Sequence, residues 1–151
     1  MTITPPTRTL WLLIAFCVSS ATRADGLADR LHHARSLRCS FTDSAVTEYK
    51  RGLRTIRVTH DKGSAVFDDI DLQRGTARAI GNAGAADLKA MWQANALWLF
   101  LQAPNGDLVL TTVFPTYMAG TNEFIVIESR HWAIGQFASG EQDSGSCAVL
   151  D

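Results

Sequence analysis

Between Leu53 and Trp132, six clusters of turn-forming residues separate seven short runs that are apolar or that alternate apolar with polar side chains, and an eighth run, Leu37 to Phe41, precedes them. The clusters are Asp61-Lys62-Gly63, Gln73-Arg74-Gly75, Gly81-Asn82-Ala83-Gly84, Gln93-Ala94-Asn95, Pro104-Asn105-Gly106 and Ala119-Gly120-Thr121-Asn122. A chain reversed this often by so few residues predicts antiparallel β structure. The runs read as strands are Leu37 to Phe41, Leu53 to His60, Ala65 to Leu72, Thr76 to Ile80, Asp87 to Gln93, Ala96 to Gln102, Leu108 to Phe114 and Glu123 to Trp132. Asn105-Gly106 is the strongest turn signal, because both residues accept the positive φ that a tight hairpin demands.

The runs on either side of that turn carry apolar side chains on both faces: Leu97, Leu99 and Leu101 alternate with Trp98 and Phe100, and Val109 and Val113 with Leu108 and Leu110. Strands of this kind must be covered on both faces. The fold class is therefore all-β, a single antiparallel barrel-like or sandwich domain of about eight strands. Leu27, Leu31 and Ala34, spaced for one helical face behind Asp25, predict a short N-terminal helix between Asp25 and Ser36. From Gly135 to Ser146 the composition turns to Gly, Ser, Gln and Asp, and an irregular strap is expected there. Ala85 to Gln93 also fits a helix, which would make Gly81-x-x-Gly84 a phosphate-cradling turn, but a dinucleotide fold needs parallel strands joined by helices and the chain offers hairpins.

Ahead of the domain, a polar segment with Arg8, an uncharged run from Leu10 to Val18 and small residues around Ala21 and Ala24 have the order of a secretory signal peptide. The apolar run is too short to span a bilayer, which takes ~20 residues. Residues 1–24 are read as a leader cleaved after Ala21 or Ala24, leaving residues 25–151 as one domain with no transmembrane anchor. A lipoprotein anchored at Cys17 is disfavoured by Phe16, where such processing wants a small residue. The expected location is periplasmic or secreted. Cys39 and Cys147 then remain as a lone pair where disulfides persist, and a bridge between them would staple the ends of the domain. The net charge is −1 for the whole chain and grows more negative once Arg8 and Arg23 leave, so nothing points to nucleic acid.

The segments Gly75-Thr-Ala-Arg-Ala-Ile-Gly-Asn-Ala-Gly84, Thr111-Thr-Val-Phe-Pro115, Ser129-Arg-His131 and Cys147 together resemble a group of small exported bacterial proteins of unknown function. The resemblance implies a bacterial envelope setting and brings no activity with it.

Chemistry-bearing residues are few. His32 and His33 are adjacent on a helix, about 100° apart, which does not suit one metal ion. Asp68, Asp69 and Asp71 lack the glycine and distal glutamate of a calcium loop, and in a strand Asp69 and Asp71 would share a face with Phe67. No metal or cofactor is expected. Ser129 and His131 share a strand face at a separation too large for a direct hydrogen bond, and no Gly-x-Ser-x-Gly elbow exists. Ser129, Arg130 and His131 are kept as a polar site, with Arg130 expected to pair with Asp87 or Glu128. Lys50, Arg51, Arg54 and Arg57 form the basic run and read as a solvated edge. Trp92, Trp98, Phe100, Phe114 and Trp132 are the candidate ligand-binding set, since a barrel of about eight strands can enclose one small molecule. The reading is a non-catalytic domain that binds a small apolar molecule or lipid. The alternative is an interaction module for an envelope protein, such as an inhibitor or assembly factor, working through an edge strand or the C-terminal strap.

Overall fold

Residues with positive φ place the reversals of the chain. The computed structural model describes residues 26–60, 63–81, 84–103 and 106–150, so the leader, Cys17 and Asn105 lie outside the described residues. Ala94 (φ 47°) and Asn95 (φ 59°) make the two-residue turn expected at that site, and Arg51 (φ 50°) with Gly52 (φ 78°) makes another that the sequence reading did not mark. Between such turns run nine strands: β1 (Leu37–Lys50), β2 (Leu53–Thr59), β3 (Gly63–Asp71), β4 (Thr76–Gly81), β5 (Gly84–Gln93), β6 (Ala96–Gln102), β7 (Leu108–Tyr117), β8 (Phe124–Ile134) and β9 (Phe137–Val149). A helix over residues 26–32 precedes them.

Every pairing is antiparallel, and the sheet order β2-β1-β3-β4-β5-β6-β7-β8-β9 closes through β1 and β9. Strands β1 and β3 to β9 make a closed eight-stranded barrel, and β2 lies outside it. The barrel form answers the choice between barrel and sandwich that the pattern left open. The segment Ala85 to Gln93 is strand, in register with β4 and β6.

Two expectations are corrected. The strap after Gly135 is a regular strand, β9, paired along its length by β8 on one side and β1 on the other. Its Gly and Ser residues have weak strand preference, but two neighbouring ladders hold its backbone, and Ser139, Gly145 and Ser146 are buried. A Cβ on Gly145 would lie 1.9 Å from the Ser40 carbonyl oxygen. Likewise, the first strand does not stop at Phe41. A bulge at Thr42 absorbs the polar stretch and β1 continues to Lys50.

Alternation fills the interior. Leu37, Cys39, Phe67, Ala77, Leu88, Ala90, Leu97, Leu99, Val113, Phe124, Val126 and Cys147 are buried together. The helix supplies Leu31, and the segment after it Ala34, to the same cluster. It is tied down by Ile70 N–H to the Arg35 carbonyl (3.0 Å), the Arg35 guanidinium to the Ile70 carbonyl (3.1 Å) and Leu150 N–H to the Ser36 carbonyl (3.0 Å). Each fully buried leucine or phenylalanine contributes ~1.5–3 kcal/mol relative to exposure.

Cys39 and Cys147 face each other across the closing β1–β9 pair, Cα atoms 4.0 Å apart, and are disulfide-bonded. Replacing both with serine should lower unfolding stability by ~2–4 kcal/mol, read from urea midpoints at constant m. An unchanged midpoint would show that the seam holds without the bridge.

Candidate functional site

Beyond the bulge, β1 changes partner. Leu37 to Phe41 pair with β3, whereas Ser44 to Lys50 pair with β2, and β9 follows β1 throughout. The far halves of β1 and β9, the end of β8 and β2 thus form a four-stranded sheet, β2-β1-β9-β8, running on from the barrel wall. Register sets its cross-strand rows. At the far end, Ile134, Phe137, Lys50 and Leu53 line up on one face, and Ala133, Ala138, Tyr49 and Arg54 on the other. Two residues nearer the barrel come Trp132, Ser139, Glu48 and Thr55, backed by His131, Gly140, Thr47 and Ile56. The Arg51 N–H donates to the Gln136 carbonyl (3.3 Å), joining the two hairpin ends.

This sheet carries most of the exposed large apolar side chains among the described residues. Of the seven large hydrophobic side chains that are exposed among the described residues, five belong to it: Tyr49 (44 %), Leu53 (76 %), Ile56 (62 %), Val58 (63 %) and Ile134 (75 %). Among the described residues, β2 pairs with β1 alone, leaving its outer row of backbone groups without a strand. The basic run is here too. Lys50, Arg51 and Arg54 have no acidic partner among the described residues, and Arg57 bonds Glu48 (3.3 and 3.4 Å).

At the neck between sheet and barrel lies a polar chain. Thr111 donates its hydroxyl to Glu128 Oε2 (2.7 Å), Arg130 Nη2 donates to Glu128 Oε1 (3.0 Å), Arg130 Nη1 lies 3.9 Å from Glu141 Oε2, and Ser44 donates to Glu141 Oε1 (3.0 Å). Glu128 rather than Asp87 is thus the partner of Arg130. Ser129 and His131 point to the opposite face from Arg130, and among the described residues no hydrogen bond joins them. No group of three or more His, Cys, Asp or Glu among the described residues could hold a metal ion.

The aromatic set does not converge. Trp98 and Phe100 lie half-buried on the outer wall, opposite the buried Leu97 and Leu99. Trp92 packs against the core with its ring edge-to-face to His32, 5.1 Å between centroids. Phe114 is half-buried in β7, and Trp132 belongs to the four-stranded sheet. An open depression of about 750 Å³ includes Phe100 from this set, and its other walls mix Ala77 and Leu88 with the charged Asp69, Arg78, Asp87 and Lys89.

Asp69 sits at φ 50° in an irregularity between Asp68 and Asp71, which turns it into solvent while Phe67 and Ile70 are buried. The expectation that Asp69 shares a face with Phe67 is corrected, because the irregularity resets the alternation. Asp71 accepts the N–H groups of Arg74 and Gln73 (3.0 Å each), and these bonds, that from Arg74 foremost, hold its carboxyl below the ordinary value. Asp43 is held low chiefly by the Thr42 hydroxyl and then by His60.

The geometry defines a closed eight-stranded antiparallel barrel with a projecting four-stranded sheet. Compared with protein families, curated proteins and solved structures, the chain matches none of them.

Two outcomes follow from the polar groups. Glu128→Ala strands the buried Thr111 hydroxyl and one side of Arg130, and should cost ~1–3 kcal/mol; Thr111→Val in the same chain should recover part of it in a double-mutant cycle, whereas strict additivity would show no coupling. A carboxyl whose folded pKa is depressed adds stability that is present above its unfolded value near 3.8 and is lost as pH falls through the lower folded value. Asp71→Asn should therefore have a shallower fall of urea midpoint below about pH 4 than the parent. Parallel curves would remove Asp71 from the acid response.

Proposed function

We propose that this protein is a non-catalytic binding module of the extracytoplasmic space whose contact surface is the projecting sheet. The observation that carries the reading is the gathering, on that one sheet, of five of the seven large apolar side chains that are exposed among the described residues. A monomeric domain does not ordinarily leave Leu53, Ile56, Val58 and Ile134 in water on one four-stranded sheet without a partner for them. Binding inside the barrel is less favoured, because Leu31, Phe67, Leu97, Leu99 and Phe124 meet there in one cluster and Trp98 and Trp132 lie elsewhere. The location outside the cytoplasm is supported by the disulfide, and no helix among the described residues is long and apolar enough to cross a membrane. A catalytic role has less support, since Arg130 and Glu128 are engaged with each other and Ser129 is not bonded to His131.

The test is retention of the labelled protein by a washed envelope fraction. The parent and an Ile80→Ser/Met91→Ser control should be retained alike, and Leu53→Ser/Ile56→Ser/Val58→Ser/Ile134→Ser should lose about tenfold or more in affinity, the equivalent of 1.4 kcal/mol. Circular dichroism and melting curves establish that each variant is folded. Equal retention of all three, or an apolar molecule held in the barrel on native mass spectrometry, would overturn the assignment.

A further inference from the structure

We infer that the far end of the projecting sheet is a tip that dips into the surface of an anionic lipid bilayer, an inference that rests on the projecting sheet being the contact surface. The distribution of side chains along the sheet separates this occupant from a protein. A partner that packs on a sheet face needs apolar residues on that face, and one that pairs along an edge needs the edge alone. Here the terminal rows carry apolar side chains on both faces at once, with Ile134, Phe137 and Leu53 on one side and Tyr49 on the other, accompanied by cations and no carboxylate, while acidic residues enter nearer the barrel at Glu48 and Glu141. A fluid occupant that surrounds the end fits that gradient.

The cations agree. Lys50, Arg51 and Arg54 stand at or beside the tip with no acidic partner among the described residues, in a chain whose net charge is −1. Their long stems let them reach phosphate groups while the apolar atoms beside them enter the acyl boundary. Trp132 lies two residues behind the tip, about 7 Å along the strand, and Tyr49 is half-exposed in the terminal row. That spacing matches the depth of about 5–10 Å to which interfacial segments sink, with amphipathic rings at headgroup level. The two hairpin ends are joined at the tip by the Arg51 to Gln136 bond.

Sedimentation of the disulfide-bonded protein with vesicles tests the inference. Vesicles of phosphatidylcholine containing about one-third phosphatidylglycerol should bind it, and vesicles of phosphatidylcholine alone should bind far less. Leu53→Ser/Ile134→Ser, at two of the most exposed positions, should weaken binding at least about tenfold. Each of Lys50→Gln, Arg51→Gln and Arg54→Gln should weaken it about fivefold and reduce its salt dependence. In a Trp92→Phe/Trp98→Phe background, Trp132 emission should shift to the blue on binding. Absence of binding to the anionic vesicles, or binding indifferent to the tip variants, overturns the inference. Envelope retention that is lost once the membranes are stripped of protein, with no vesicle binding, overturns the lipid and identifies a polypeptide along β2, leaving the projecting sheet as the contact surface. Envelope retention unaffected by any of these variants overturns both readings.

Discussion

Pairing of the first strand with the last is the constraint on which the molecule rests. Thirteen register pairs join β1 to β9, from Leu37 opposite Val149 to Lys50 opposite Phe137, and they bring together segments about a hundred residues apart in sequence. Closing so long a loop is entropically costly, and it is repaid only when the whole barrel wall is present to shelter Leu37, Cys39 and Phe124. The disulfide sits within this seam. Gly145 permits it, because the bulged backbone at Ser40 and Phe41 occupies the space that any larger residue would need.

The same seam creates the projecting sheet. β1 is longer than the barrel requires, and past its bulge it leaves β3 and takes β2 as a partner without leaving β9. The interior face of the barrel therefore continues onto one face of the projecting sheet, and the buried Glu128 stands where apolar lining gives way to a polar chain. Thr111, Glu128, Arg130, Glu141 and Ser44 link β7, β8, β9 and β1 at that point, so the sheet is joined to the barrel by side-chain bonds as well as by backbone.

The barrel wall was readable where turn chemistry is local. Gln93-Ala94-Asn95 and Gln73-Arg74-Gly75 mark reversals through Asn95 and Gly75, which tolerate positive φ, and in β6 and β7 the side chains facing in, such as Leu97, Leu99 and Val113, are buried while Trp98, Phe100 and Phe114 stay half-buried. β9 was illegible because its Gly, Ser and Asp residues carry little strand preference, its ladders being supplied by partners remote in sequence. The extension of β1 was hidden by Thr42-Asp43-Ser44, which imitate a turn. At the candidate surface, Lys50 and Arg54 read as a solvated edge; their closeness to Ile134 and Phe137 comes only from the β1–β9 register. One signal was present: Leu53, Ile56 and Val58 put apolar groups on both faces of a strand that also carries two arginines, a pattern that neither a core strand nor a guarded edge requires.

The bond between Cys39 and Cys147 also makes a covalent ring of everything from the start of the first strand to the end of the last. A single proteolytic nick in any connecting loop opens that ring without releasing a fragment. Where peptidases are abundant, a cleaved molecule keeps all nine strands in one piece and the same set of neighbours with which to close again.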